Sequence, residues 1–374
     1  MKKLYLLLFL NGLAIASFTP FTTIYFLNIG YDLAFIALSS AIFNIAVTIA
    51  EIPFALVVDR YNPKLSLYFG FMLRIIGFYL FTVNFGVNYI ILGYILTGVA
   101  NAATSGPLGA MIINNTQNQT YENIAIVKSR ISLYGSISSL LGATIGYSLF
   151  NIEEYFIWLA AIIFLLLAIL LLVFMPKIKA EGADENSMFF VRGALKLFKM
   201  PVFYILIFLN IAAFGPLLAA PVKFNAISPN MLLFGHYAIT LTSIVGSKLF
   251  MHLKFKLTSA KWLALVNILA LIMFSFADNM FTILLTFSLV GISHLFLTLQ
   301  IGGLFSSKVG NKIRACSSSV ISLSDSLLLF IIAPIIGMLA NYNLNYAILS
   351  STLVYMIVGL IILFNNKLFK EAKI

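Results

Sequence analysis

The chain is 374 residues long, 61% hydrophobic and only 9% charged. Soluble domains carry about 25% charged and about 45–50% apolar residues, so a soluble enzyme, a disordered chain and a disulfide scaffold are all excluded. The net charge of +11 is a topology signal rather than a nucleic-acid signal, and the single cysteine, Cys316, excludes structural disulfides and cysteine-based metal sites.

Charge-poor apolar stretches bounded by charged or turn residues predict twelve membrane-spanning helices. In chain order they cover 4–27, 34–57, 64–84, 88–112, 130–150, 154–175, 201–222, 230–250, 260–277, 280–303, 313–338 and 344–365. About 20 apolar residues suffice to cross a bilayer as a helix. The start, Met1-Lys2-Lys3 with Ala14-Ile15-Ala16 further on, imitates a signal peptide. Its apolar run continues to Leu27, however, which is span length. Residues 75–121 carry no charge and are too long for one span; Asn84, Gly86 and Asn88 supply the dividing turn. The runs are continuous rather than alternating, which argues against a transmembrane β-barrel.

With the N-terminus inside, the inner segments hold 21 of the 23 Lys and Arg residues. Only Lys223 falls in an outer loop, and Arg74 lies within a span. This bias predicts that both termini are cytoplasmic in a multi-pass cell (inner or plasma) membrane protein, with basic loops against anionic headgroups. The longest polar stretch, 176–200, follows the sixth span. The expected fold class is therefore all-α integral membrane: twelve transmembrane helices in two six-helix bundles, 1–175 and 201–374, joined by a cytoplasmic linker at 176–200.

The loop after the second span reads Ala55-Leu56-Val57-Val58-Asp59-Arg60-Tyr61-Asn62-Pro63-Lys64. It resembles the G-x-x-x-D-R-x-G-R-K signature of the major facilitator superfamily (MFS). Asp59, Arg60 and Lys64 match, while Ala55, Asn62 and Pro63 depart. Glu51-Ile52-Pro53 looks like the E-x-P that precedes this loop in exporter-type members, and Gly98–Gly106 is similar to their small-residue stretch. The resemblance implies two bundles rocking about a central cavity, with Asp59, Arg60 and Lys64 in a conformational latch on the cytoplasmic side. A charge contact made in one state only would bias such an equilibrium. The family's antiporter signature needs a Gly-Pro pair in the fifth span. Here Gly142-x-x-x-Gly146 stands without a proline and reads as a helix-packing face.

Glu51, Arg74 and Asp325 lie well inside spans, where a charge costs about 2.5–3.5 kcal/mol on insertion scales. Glu51 and Arg74 differ in depth by about 6 Å at 1.5 Å rise per residue, so they are expected to form a buried pair. Asp325 has no basic residue at similar depth and sits near Ser322, Ser324 and Ser326. Asp325, Glu51 and His294 are the candidates for proton coupling. No second His, Cys or acid stands at ligand spacing, so no metal site is expected, and no cofactor or nucleotide loop is read.

Pro20 in the first span and Gly215-Pro216 and Pro221 in the seventh mark helix breaks in corresponding positions of the two halves, a pointer to a substrate site. In the family resembled, spans one, four, seven and ten line the cavity. There this chain offers Asn11, Thr97, Asn101, Asn210, Thr298 and Gln300, with His294, among apolar groups. That lining suits an amphipathic or weakly polar solute. The expected function is a secondary active transporter that exports such a solute by alternating access, coupled to proton antiport. The alternatives are an uptake permease or facilitator of the same fold and, from another class, an intramembrane enzyme. The expected partners are a small-molecule substrate, protons and the lipid bilayer, with no nucleic acid, and the chain is expected to work as a monomer.

Overall fold

The computed structural model describes residues 2–60, 63–83, 85–114, 121–175, 197–198, 200–253, 259–308 and 314–364. Among them run thirteen helices and no strand. They are α1 (Lys2–Ala16), α2 (Thr22–Asn28), α3 (Leu33–Arg60), α4 (Pro63–Val83), α5 (Val87–Asn114), α6 (Tyr121–Phe150), α7 (Phe156–Val173), α8 (Pro201–Ile227), α9 (Asn230–Leu253), α10 (Ala260–Phe276), α11 (Met280–Lys308), α12 (Arg314–Tyr342) and α13 (Leu344–Phe364). Among the described residues, eight helices are long and apolar enough to cross a membrane. The expected span 4–27 is realised as two helices, and each other expected span corresponds to one.

The break between α1 and α2 has a local cause. Pro20 offers no N–H, and its ring would collide with the carbonyl four residues back, which belongs to Ala16, the last residue of α1. The chain turns through 17–21, with Phe21 N donating to Phe18 O at 2.9 Å, before the helix resumes. The seventh span behaves otherwise. α8 runs unbroken through Pro216 and Pro221, so the matched pair of helix breaks expected from the prolines is absent. Neighbouring helices re-satisfy freed backbone groups well enough for proline to persist inside membrane helices.

The chain forms two compact units, Met1–Ile29 with Ser39–Asp184, and Gly30–Leu38 with Glu185–Ile374. The expected linker at 176–200 lies outside the described residues except for Leu197, Phe198 and Met200. In the first unit α4 packs on α5 and α7, and α1 on α6 and α7. Its core is aromatic: Trp158 stacks on Phe18 at 4.8 Å between ring centroids and meets Phe81 at 4.9 Å. Tyr25 donates to Phe81 O at 2.7 Å. α1 and α6 approach closely because α6 carries glycines there. A Cβ on Gly142 would meet Leu13 O at 2.8 Å, and one on Gly146 would overlap the Ser17 carbonyl. That is the packing face read from the Gly142-x-x-x-Gly146 spacing.

In the second unit α13 packs on α8 and α10, and α11 on α9 and α10. Phe224, Phe274 and Phe287 form its aromatic cluster, with centroid separations of 5.2 and 5.4 Å. Asp32, at the start of α3, ties the 30–38 segment into this unit. Its Oδ2 accepts from Asn341 Nδ2 at 2.8 Å, and Leu33 N donates to Asn341 Oδ1 at 2.8 Å.

Large apolar side chains remain exposed along many helices, among them Phe69, Tyr79, Ile163, Leu170, Met356 and Leu360. A water-soluble protein of this size exposes no such continuous apolar surface; lipid is the solvent that suits it.

Candidate functional site

Among the described residues, one polar cluster in each unit joins intramembrane polar groups singled out in the sequence, the first around Arg74 and the second around Asp325. In the first unit the cluster is built around Arg74 of α4, which is 3% exposed. Nη1 donates to Asn11 Oδ1 of α1 at 2.8 Å. Nη2 donates to Asn101 Oδ1 and Thr104 Oγ1 of α5, each at 3.2 Å. Arg74 therefore points toward α1 and α5. The expected Glu51–Arg74 pair is not formed. Similar depth is insufficient when the helical phase turns the guanidinium to other neighbours. Glu51 is half-buried in α3, with no hydrogen bond or ion pair among the described residues.

In the second unit the cluster joins α8 and α12. Asn210 Nδ2 donates a short hydrogen bond to Asp325 Oδ2. The other oxygen, Oδ1, is buried and has no partner among the described residues. A carboxylate oxygen removed from water without a donor is costly when ionised, whereas a protonated carboxyl needs only its O–H placed. The Asn210–Asp325 contact thus suits a group that changes protonation state. His294 of α11 lies elsewhere in this unit, with Nδ1 2.6 Å from the hydroxyl of fully buried Tyr355 on α13. That tyrosine is absent from the sequence reading, where it is one of 17 tyrosines with no distinguishing neighbour.

The remaining cavity candidates are spent on local or packing bonds. Thr97 donates to Gly93 O at 2.8 Å within its own helix, and Thr298 donates to Leu295 O at 2.9 Å. Gln300 is buried and donates to Ser259 Oγ at 2.8 Å. Of the six, Asn11 and Asn101 share Arg74, and Asn210 joins Asp325. Thr104 completes the first cluster; it was visible only as a member of the small-residue stretch.

The latch residues divide. The side chains of Asp59 and Arg60 lie outside the described part of the structure. Lys64 is buried and donates to Met175 O just past the end of α7, while Lys3 donates to Phe174 O at 3.2 Å. Cations at the carbonyl end of a helix satisfy orphan acceptors and oppose the helix dipole. Lys223 does the same in the second unit, donating to Phe274 O at 2.8 Å and Ser275 O at 2.6 Å at the end of α10. It belongs to α8 rather than to an outer loop.

No group of three or more His, Cys, Asp or Glu side chains that could hold a metal is present among the described residues. An open groove lined by Phe54, Leu65, Ser66, Tyr68, Phe69 and Met72 lies on the outside of α3 and α4. Its lining is apolar and it is separate from both polar clusters.

The family model described as Major Facilitator Superfamily matches residues 4–334. The uncharacterised MFS-type transporter YxaM of Bacillus subtilis (strain 168) is 27% identical over 183 residues, which is 48% of this chain and 43% of that protein. The match thus spans less than half the length of that relative. The fold is similar to crystal structures of the nucleoside transporter NupG (TM-score 0.78, 15% identity, 98% of each chain covered). It is also similar to a POT family transporter in complex with 5-aminolevulinic acid (TM-score 0.79, 13% identity, 98% of this chain and 96% of that one covered). The all-helical architecture, the lipid-compatible surface and the match along nearly the whole chain agree: the chain belongs to the Major Facilitator Superfamily of membrane transporters.

Proposed function

We propose that the chain is a secondary active transporter that moves a small amphipathic solute across the cell membrane by alternating access, with Asp325 as the group that takes up and releases the coupling proton. The observation that carries this reading is the Asn210–Asp325 contact, in which one carboxylate oxygen is held and the other is buried without a donor among the described residues. Glu51 is the rival carboxylate, since it also lacks a partner among the described residues. His294 is a weaker candidate because its Nδ1 is committed to Tyr355. Outward transport rests on the likeness of Glu51-Ile52-Pro53 to exporter-type members, while antiport rests on Asp325 alone, since the fifth span lacks the Gly-Pro pair of the family's antiporter signature. Twelve spans with both termini cytoplasmic rest on the 21 of 23 basic residues assigned to inner segments. Asp59 and Arg60 are proposed to latch the cytoplasmic side, and the chain to act as a monomer.

The test is solute flux in vesicles of known orientation under an imposed proton gradient. Acceleration of uphill flux by the gradient supports the proposal. Flux indifferent to any ion gradient makes the chain a facilitator. Reporter fusions after Lys179 and Lys373 should read inside.

A further inference from the structure

The Arg74 cluster carries an inference that rests on the transporter reading and narrows its substrate. Arginine remains charged inside proteins and offers five N–H donors. Three of the five are engaged by Asn11, Asn101 and Thr104, which leaves two without an acceptor among the described residues. All three acceptors are neutral. No carboxylate lies within ion-pair distance of Arg74 among the described residues. A buried cation without a counter-ion is costly even when dipoles surround it.

The two asparagines add to the imbalance. Each turns its amide oxygen to Arg74, which sends its NH2 group the other way. Neither NH2 group has an acceptor among the described residues, and both side chains are only half-buried. The cluster therefore presents two guanidinium N–H groups and two amide NH2 groups, with a net positive charge. An ionised carboxylate accepts only, and an ionised phosphate offers mostly acceptors, so both match such a donor set.

We propose that Arg74, Asn11 and Asn101 bind the anionic head group of the transported solute, and that this head is a carboxylate. One guanidinium balances one negative charge. A phosphate carrying a second charge would leave it uncompensated among apolar helices. An amphipathic organic acid is thus the solute class. The lining expected from sequence counted only spans one, four, seven and ten, and so left out Arg74, which lies in the third.

The test uses the full-length protein purified in detergent. Thermal unfolding is followed with sodium acetate, sodium benzoate and inorganic phosphate, against acetamide and benzamide, at ionic strength matched with sodium chloride. The carboxylates should raise the melting temperature above their neutral amides and above phosphate. Asn11→Asp gives Arg74 an internal carboxylate, so it should fold and lose the benzoate response. Arg74→Lys should weaken that response, because the bidentate fork is gone. No difference between benzoate and benzamide would overturn the proposal. So would a wild-type response in Asn11→Asp, or a larger shift with phosphate than with carboxylates. The transporter reading fails separately: benzoate would stabilise the protein as expected, yet proteoliposomes would move labelled benzoate no faster than empty vesicles.

Discussion

Asn210 donates a short hydrogen bond to one oxygen of Asp325, while the second oxygen of that carboxyl is buried with no partner among the described residues. The two residues are 115 positions apart, on α8 and α12. The contact is lopsided: it steadies the side chain without satisfying both lone-pair oxygens of an ionised carboxylate. Asn210→Ala should therefore disturb coupling more than folding. Gradient-driven flux should fall, while thermal stability drops by about 1 kcal/mol, the usual net worth of one hydrogen bond. Loss of folded protein with no selective loss of coupling would make the contact merely structural.

The α1–α6 interface predicts a packing defect. A side chain on Gly146 would overlap the carbonyl of Ser17, a backbone atom that cannot rotate away. Gly146→Leu should cost at least the ~1–3 kcal/mol typical of overpacking. A fluorescence melt of purified protein should show it, whereas Gly135→Leu, where an added Cβ meets nothing within 4 Å, should melt near wild type.

Lys64 and Asp59 share a motif and should separate by experiment. Lys64 bonds the Met175 carbonyl at the end of α7, so Lys64→Met should lower stability by ~1–2 kcal/mol as the cap is lost. Asp59→Asn should leave melting near normal and slow transport, if the aspartate is a latch. Equal transport by Asp59→Asn and wild type would remove the latch.

Asn341 predicts a local effect. Its Oδ1 accepts from the Leu33 amide and its Nδ2 donates to Asp32. Asn341→Leu should speed hydrogen exchange at the Leu33 amide and leave exchange in the middle of α12 unchanged. Unaltered exchange at Leu33 would mean that the contact is not held in solution.

The sequence made the helices legible and the partners only partly so. All but the first of the expected spans correspond to one helix each, because a run of about 20 apolar residues has few alternatives in lipid. Pro20 ended α1 where the missing N–H predicts, yet Pro216 and Pro221 did not end α8, because tolerance of proline depends on neighbouring helices that no single span reveals. The chemistry-bearing residues stood out as polar groups in apolar surroundings: Asn11, Arg74, Asn101, Asn210 and Asp325. Their pairing did not, since depth along a helix is countable from a sequence but azimuth against other helices is not. Glu51 and Arg74 illustrate this, being close in depth and turned to different neighbours. Lys223 shows a related limit: as a lone basic residue it read as a loop charge, and only the fold reveals the carbonyls of Phe274 and Ser275 beneath it.

Proton movement coupled to solute movement tests the central claim most directly. Proteoliposomes containing a pH-reporting dye would be given a gradient of whichever solute stabilises the purified protein, with empty vesicles as the control. Wild type should move protons opposite to the solute. Asp325→Asn should abolish that proton flux yet still exchange labelled for unlabelled solute, since rocking needs only a neutral site. Proton flux at the wild-type rate in Asp325→Asn would contradict the account, and its loss in Glu51→Gln instead would assign the proton to the other carboxylate.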